Sequence, residues 1–193
     1  MPCRATVNKK AGREACYAHL MAYACGQGND DALACMLASR VAGEDGLTTD
    51  WGLAYTEFVT LMCFHFPGYD YKSFQPPGVT GDEIRHDEQA ELIDLMTNHC
   101  AGESPSARWM ASIVAAGCLG SDHLWQDLGL WCRDDLSSLM QRNFPSLAEK
   151  NIHNMKWKKF LYKQLCMGEG VYVCRSPSCE VCVDYDECFG PET

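Results

Sequence analysis

Apolar residues recur at spacings of three and four along most of the chain, with breaks at Gly and Pro, so the pattern as far as residue 167 reads as helix. About seven helices are predicted. The first spans residues 13–24 and is stopped by Gly26; the second spans 30–41, with Asn29 as N-cap, Gly43 just past the end, and Leu33, Met36, Leu37 and Val41 on one face. A third, over 50–66, carries Leu53, Ala54, Phe58, Leu61 and Met62, and Pro67 closes it ahead of the loop FPGYDYKSFQPPG. Thr80 and Glu83 have capping-box spacing for a fourth helix reaching Cys100, along which Leu92, Leu95, Met96 and His99 line up. Ser104 and Pro105 start a fifth, through Trp109, Met110, Ile113 and Val114 to Gly117. Ser121 caps the sixth, HLWQDLGLWCRDDLSSLMQRNF, which Pro145 terminates; Ser146 and Glu149 form a second capping box for the last, SLAEKNIHNMKWKKFLYKQLCM, ending at Gly168.

Beyond Gly170 the helical period disappears, with no Asn-Gly hairpin and no strand alternation except VYVC. The expected fold is therefore all-α: a single domain over residues 1–193, made of a helical body (1–167) and an irregular cysteine-rich metal-binding loop (168–193). At 47% hydrophobic content the 193 residues suffice for one buried core, and nothing requires a second domain. The first twenty residues are polar throughout and lack a signal-peptide apolar run, and no stretch reaches the roughly 18 apolar residues of a membrane span, so a cytoplasmic location is expected.

The net charge of −10 disfavours a phosphate backbone and argues against nucleic acid as partner. That charge is unevenly spread. Residues 142–163 hold Arg142, Lys150, Lys156, Lys158, Lys159 and Lys163 against Glu149 alone, whereas the tail from Glu169 is acidic apart from Arg175. A solvated helix face is the plain reading of the basic segment. The functional one is that Lys156, Lys158 and Lys159 screen an anionic cofactor or an oxyanion, or dock an acidic partner.

Thirteen cysteines is a high and odd number, and in a reducing compartment a close group of them more often holds metal than forms disulfides. Four fall in the stretch CRSPSCEVCVDYDECFG, as C-x4-C-x2-C-x5-C: Cys174, Cys179, Cys182 and Cys188. Converging thiolates repel one another unless a cation or cluster holds them. Tetrahedral zinc suits four sulfurs, and a cuboidal iron-sulfur cluster suits a close pair with two longer arms; redox thiols are the third possibility. Spacing alone leaves all three open.

Outside the quartet, His123 follows Ser121 and Asp122 at a helix start, where the dipole favours the neutral ring that ligates metal; the plain alternative is a capping or packing histidine. His153, among the lysines of the last helix, and Cys166, near its end, are further accessory ligand candidates, against packing roles for both. Cys118 and Cys132 flank the HLWQDLGL block, and Cys3, Cys16, Cys25, Cys35, Cys63 and Cys100 read as small hydrophobes. Trp125, Trp131 and Trp157 read as core anchors. No G-x-S-x-G elbow, P-loop, Rossmann fingerprint or H-E-x-x-H helix occurs, so the motifs give catalysis in the usual sense little support and the chain is not expected to be an enzyme.

The blocks HLWQDLGL, FPSLAEKN and MKWKKFLYKQLC, followed in order by the C-x4-C-x2-C-x5-C run ending in CFG, resemble the NifQ family of nitrogenase cofactor assembly, most densely over residues 117–190. That resemblance implies a molybdenum donor for iron-molybdenum cofactor biosynthesis in nitrogen fixation, carrying a molybdenum-iron-sulfur cluster of the Mo-Fe3-S4 type on Cys174, Cys179, Cys182 and Cys188. It also implies molybdate as the metal source, and the NifEN scaffold complex with the nitrogenase iron protein NifH as partners. A zinc-stabilised helical protein-interaction module and an iron-sulfur redox protein are the competing readings.

Overall fold

A computed structural model of the chain describes residues 4–44, 51–74, 83–102, 104–168 and 185–192. The architecture is all-α, as the periodicity predicts, but with ten α-helices and no strand among the described residues instead of about seven helices. They are α1 (Arg4–Met21), α2 (Asp30–Ala42), α3 (Tyr55–His65), α4 (Glu83–Thr97), α5 (Pro105–Cys118), α6 (Leu124–Asp127), α7 (Arg133–Asn143), α8 (Pro145–Ala148), α9 (Trp157–Gly168) and α10 (Tyr185–Phe189), with a 3-10 turn at Tyr71–Phe74.

α5 begins with Pro105 at its first turn and buries Met110, Ala111, Ile113, Val114 and Ala115. It lies in one continuous core with Leu33, Met36 and Leu37 of α2, Phe58, Leu61 and Met62 of α3, and Leu92 and Met96 of α4, joined by Leu136, Leu139 and Met140 of α7 and Trp157, Phe160 and Leu161 of α9. Val41, expected on the buried face of α2, is exposed. Trp157 is a buried anchor as expected, while Trp125 and Trp131 are partly buried against the core.

Most boundary differences arise where a local side chain or a left-handed residue outweighs periodicity. α1 starts at Arg4 and ends at Met21, earlier at both ends than expected. α3 starts at Tyr55 because Trp51 (φ 46°) and Gly52 (φ 64°) turn the chain first. α4 ends at Thr97, short of Cys100, and Thr80 lies outside the described residues. The expected sixth helix is two: Gly129 (φ 73°) breaks it, and the Asp135 carboxylate restarts it by accepting the Trp131 and Cys132 N–H groups at 3.2 and 3.1 Å.

The expected last helix is also two. The side chain of Asn151 grips Met155 at both its N–H (2.8 Å) and its C=O (2.9 Å), and Asn154 at φ 53° completes the turn, so His153 sits exposed in a loop and not on a helix. The Ser146/Glu149 box does not form. Ser146 Oγ instead accepts from His99 Nδ1 at 2.8 Å, and His99 Nε2 accepts from the Lys150 ammonium at 3.2 Å.

Asn29 makes no cap hydrogen bond for α2; its side chain turns inward to a buried polar network that the periodicity did not reveal. Asn29 and Asn143 exchange amide hydrogen bonds at 2.7 and 2.9 Å, and Asn29 also donates to Ser106 Oγ at 2.8 Å. His65 Nδ1 donates to Asp30 at 2.6 Å while Nε2 accepts from Ser106 at 2.9 Å. The network ties α2, α3, α5 and α7 together without leaving those groups unpaired.

Burial holds the His65 ring below its ordinary pKa of 6.5, with Asp30 opposing. An unfolded chain takes up that proton near 6.5 whereas the native ring stays neutral to lower pH, so the unfolded state binds more protons and stability falls as the pH drops through this window. Urea unfolding should give a lower free energy at about pH 5.5 than at about pH 7.5; equal or higher stability at the lower pH would contradict a neutral buried His65.

Candidate functional site

The segment between α5 and α6 is held by a buried carboxylate. Asp127 is 1% exposed, accepts the Asp122 N–H at 3.2 Å and forms an ion pair with the Lys158 ammonium, which also donates to the Gly120 carbonyl at 2.9 Å. Position 120 must be glycine for this approach, since a Cβ there would lie 2.4 Å from the Asp127 carboxyl carbon. The result sets His123, with extended backbone, at the N-cap of α6, its N–H donating to Gln126 Oε1 at 3.3 Å and its ring making no side-chain cap hydrogen bond. His123, not Ser121, is therefore the cap residue of this helix.

The second wall is the start of α9, and the third is the C-terminal segment bearing Cys188. The Lys156 N–H donates to the Cys188 carbonyl at 2.7 Å, and the Lys156 ammonium donates to the Asp186 carbonyl at 2.9 Å. Arg133, the first residue of α7, pairs with Glu192 Oε1 at 2.8 Å and holds the Asn154 and Met155 carbonyls at 2.9 and 3.1 Å. One guanidinium thus ties the chain end to the loop preceding α9. Cys188 is half-buried, packs against the core and contacts other residues.

These walls enclose an open cavity of about 470 Å³. Ser121, Asp122, His123, Leu124 and Gln126 line one side, Lys156, Lys158 and Lys159 the second, and Glu187 and Glu192 the third. Four residues singled out from the sequence, His123 and the three lysines, therefore meet beside the helix that carries one cysteine of the quartet. Lys158 is neutralised by Asp127 and Lys156 latches α10, which leaves the exposed Lys159 as the lysine whose ammonium has no protein partner among the described residues. The three lysines are balanced by Asp122, Glu187 and Glu192, so the lining is mixed in charge and not uniformly basic. Glu192 Oε2 is buried without a hydrogen-bond partner among the described residues.

His153 and Cys166 do not line this cavity. Cys166 lies toward the far end of α9, about 13 Å along the axis from Trp157 at 1.5 Å per residue. Cys174, Cys179 and Cys182 lie outside the described residues. Among the described residues no group of three or more His, Cys, Asp or Glu is placed to hold a metal ion. Burial pushes the Cys35 and Cys118 thiols up to about 12, which makes both inert packing groups, and Cys16 and Cys100 shift the same way. Cys25, Cys63 and Cys132 are exposed, so packing does not account for them.

Sequence reasoning missed Asp127 and Arg133, because both lay inside one supposed long helix where they read as surface charges. Glu187 and Glu192 were visible only as part of an acidic tail.

The NifQ family model matches residues 32–190, which span the quartet and every cavity-lining residue except Glu192. The chain is 58% identical over 110 residues to protein NifQ of Azotobacter vinelandii, covering 57% of this chain and 56% of that protein. It is 38% identical over 162 residues to a NifQ homolog of Sinorhizobium fredii (81% and 70%), and 37% over 156 residues to protein NifQ of Rhodobacter capsulatus (81% and 84%). No solved structure matches the chain. No helix among the described residues is long and apolar enough to cross a membrane.

Proposed function

The chain belongs to the NifQ family, and on that premise we propose that it carries molybdenum within an iron-sulfur cluster and donates it during assembly of the nitrogenase iron-molybdenum cofactor. The observation that carries this reading is that the family match runs through the whole C-x4-C-x2-C-x5-C stretch, Cys174 to Cys188. The chemistry of the donor set agrees: four soft thiolates suit iron corners, and molybdenum additionally accepts nitrogen and oxygen. The cluster is cargo, so the protein's task is to hold it against water and oxidation yet release its heterometal. Cys188, in a short helix next to a cavity that offers an imidazole and carboxylates but, among the described residues, no closed metal cage, is suited to both halves of that task.

The recipient in this reading is the NifEN scaffold complex, acting with the nitrogenase iron protein, and molybdate is the source of the metal. Lys159, whose ammonium has no protein partner among the described residues, is placed to meet an oxyanion or an acidic partner surface.

Protein purified without oxygen from molybdate-supplied cells is expected to be brown, with broad visible absorption and about one molybdenum per three irons. Iron without molybdenum would favour a redox protein. Zinc without iron would overturn the proposal in favour of a zinc-stabilised module.

A further inference from the structure

We propose that the cavity is the seat of the molybdenum corner of the cargo, with His123 as its nitrogen contact and Glu187 as its oxygen contact; this rests on the cluster-carrier reading above. Glu187 lines the same cavity as His123 and directly precedes Cys188 in α10, so the cavity's non-sulfur donors lie next to one cysteine of the quartet in the chain. Iron corners are satisfied by thiolate and sulfide. Molybdenum is harder, takes more ligands than a tetrahedral iron, and is the corner that needs imidazole and carboxylate.

A second, independent feature points to an occupant. Glu192 has only 4% of its side chain exposed, and Arg133 satisfies Oε1, but Oε2 reaches no donor among the described residues although Glu192 lines this cavity. A buried carboxylate oxygen left unpaired is costly, and a protonated oxygen ligand on a bound metal supplies the donor it lacks. Among the described residues the donors do not form a cage by themselves, so the cavity binds the metal only when a cluster brings sulfides with it. An open corner of this kind can exchange ligands with a recipient. Lys156 and Lys159 on the opposite wall, which carry no carboxylate partner among the described residues, offset the negative charge of a thiolate-bound cluster.

The test uses full-length His123→Ala and Glu187→Gln, purified without oxygen from molybdate-supplied cells, with iron and molybdenum per chain and molybdenum X-ray absorption as readouts. Each variant is expected to keep its iron and visible absorption while molybdenum per iron falls about tenfold or more, and residual molybdenum in His123→Ala should lose its nitrogen scatterer. Glu187 is exposed, so its variant stays informative even if His123→Ala, at a helix cap, folds poorly. Unchanged molybdenum per iron in both variants would overturn the inference. So would parallel loss of iron and molybdenum in Glu187→Gln. Both outcomes leave the carrier reading standing, whereas wild-type protein without iron and molybdenum removes the carrier reading itself.

Discussion

Lys158→Met should destabilise the folded chain by about 3 kcal/mol, because it leaves a buried carboxylate without its cation. Methionine keeps most of the apolar stem, so the loss comes from charge and not from packing. Asp127 has 2% of its side chain exposed and, among the described residues, would retain the Asp122 N–H as its one donor, while the Gly120 carbonyl would lose its ammonium donor. The exposed Lys159, in the next position, supplies the control: Lys159→Met should change stability by no more than about 0.5 kcal/mol. The double variant Lys158→Met/Asp127→Asn should lose less than the sum of its single changes, since it removes the orphaned charge. Urea denaturation of the four proteins decides the matter. Equal stabilities of Lys158→Met and Lys159→Met would show that the ion pair is not what holds α9 to the segment between α5 and α6.

That pair also shows where the sequence was informative and where it was not. Periodicity located the apolar faces of α2, α3, α4 and α5, because a core-facing stripe leaves a record every three or four residues. It also placed Gly43 correctly, where a left-handed φ of 66° lets its N–H bond the Ser39 and Arg40 carbonyls. Helix interruptions left a weaker record. Gly129 inside HLWQDLGLWCRDDL was outvoted by the leucines around it, and Asn151 and Asn154 read as tolerable polar positions until their side chain and backbone roles were seen. The Ser146/Glu149 capping box failed for a related reason: its spacing was right, but Ser146 had a better partner in the distant His99.

Long-range pairings were the least legible. The clustering of Lys156, Lys158 and Lys159 suggested one shared electrostatic task, yet their surroundings divide it. Lys158 faces an internal carboxylate, Lys156 grips the backbone of α10, and Lys159 faces out. Asp30, His65, Ser106, Asn29 and Asn143 are spread over more than a hundred positions, and no local pattern announces that they share one buried network. His123 was legible as a candidate because it sits at a helix start; what the sequence did not disclose is that Glu187 and Glu192 line the same cavity.

Cys174→Ser, Cys179→Ser and Cys182→Ser should each reduce iron per chain to background and abolish the visible absorption. In a small cluster each iron corner relies on its own thiolate, and an alkoxide cannot be formed at neutral pH to replace it. Cys188→Ser is expected to behave differently. Cys188 lies in α10, whose carbonyl contacts with Lys156 and whose neighbouring Glu192–Arg133 pair tie it to the cavity containing His123. If the molybdenum corner faces that cavity, removal of the Cys188 sulfur leaves three iron-directed thiolates in place, and the variant retains iron while losing molybdenum. Metal analysis and visible spectra of the four variants, with unfolding curves to show that each chain is folded, separate the cases. Full iron loading in Cys179→Ser would remove the quartet as the binding site. Loss of all iron in Cys188→Ser would assign Cys188 to an iron corner and place the molybdenum elsewhere on the cluster.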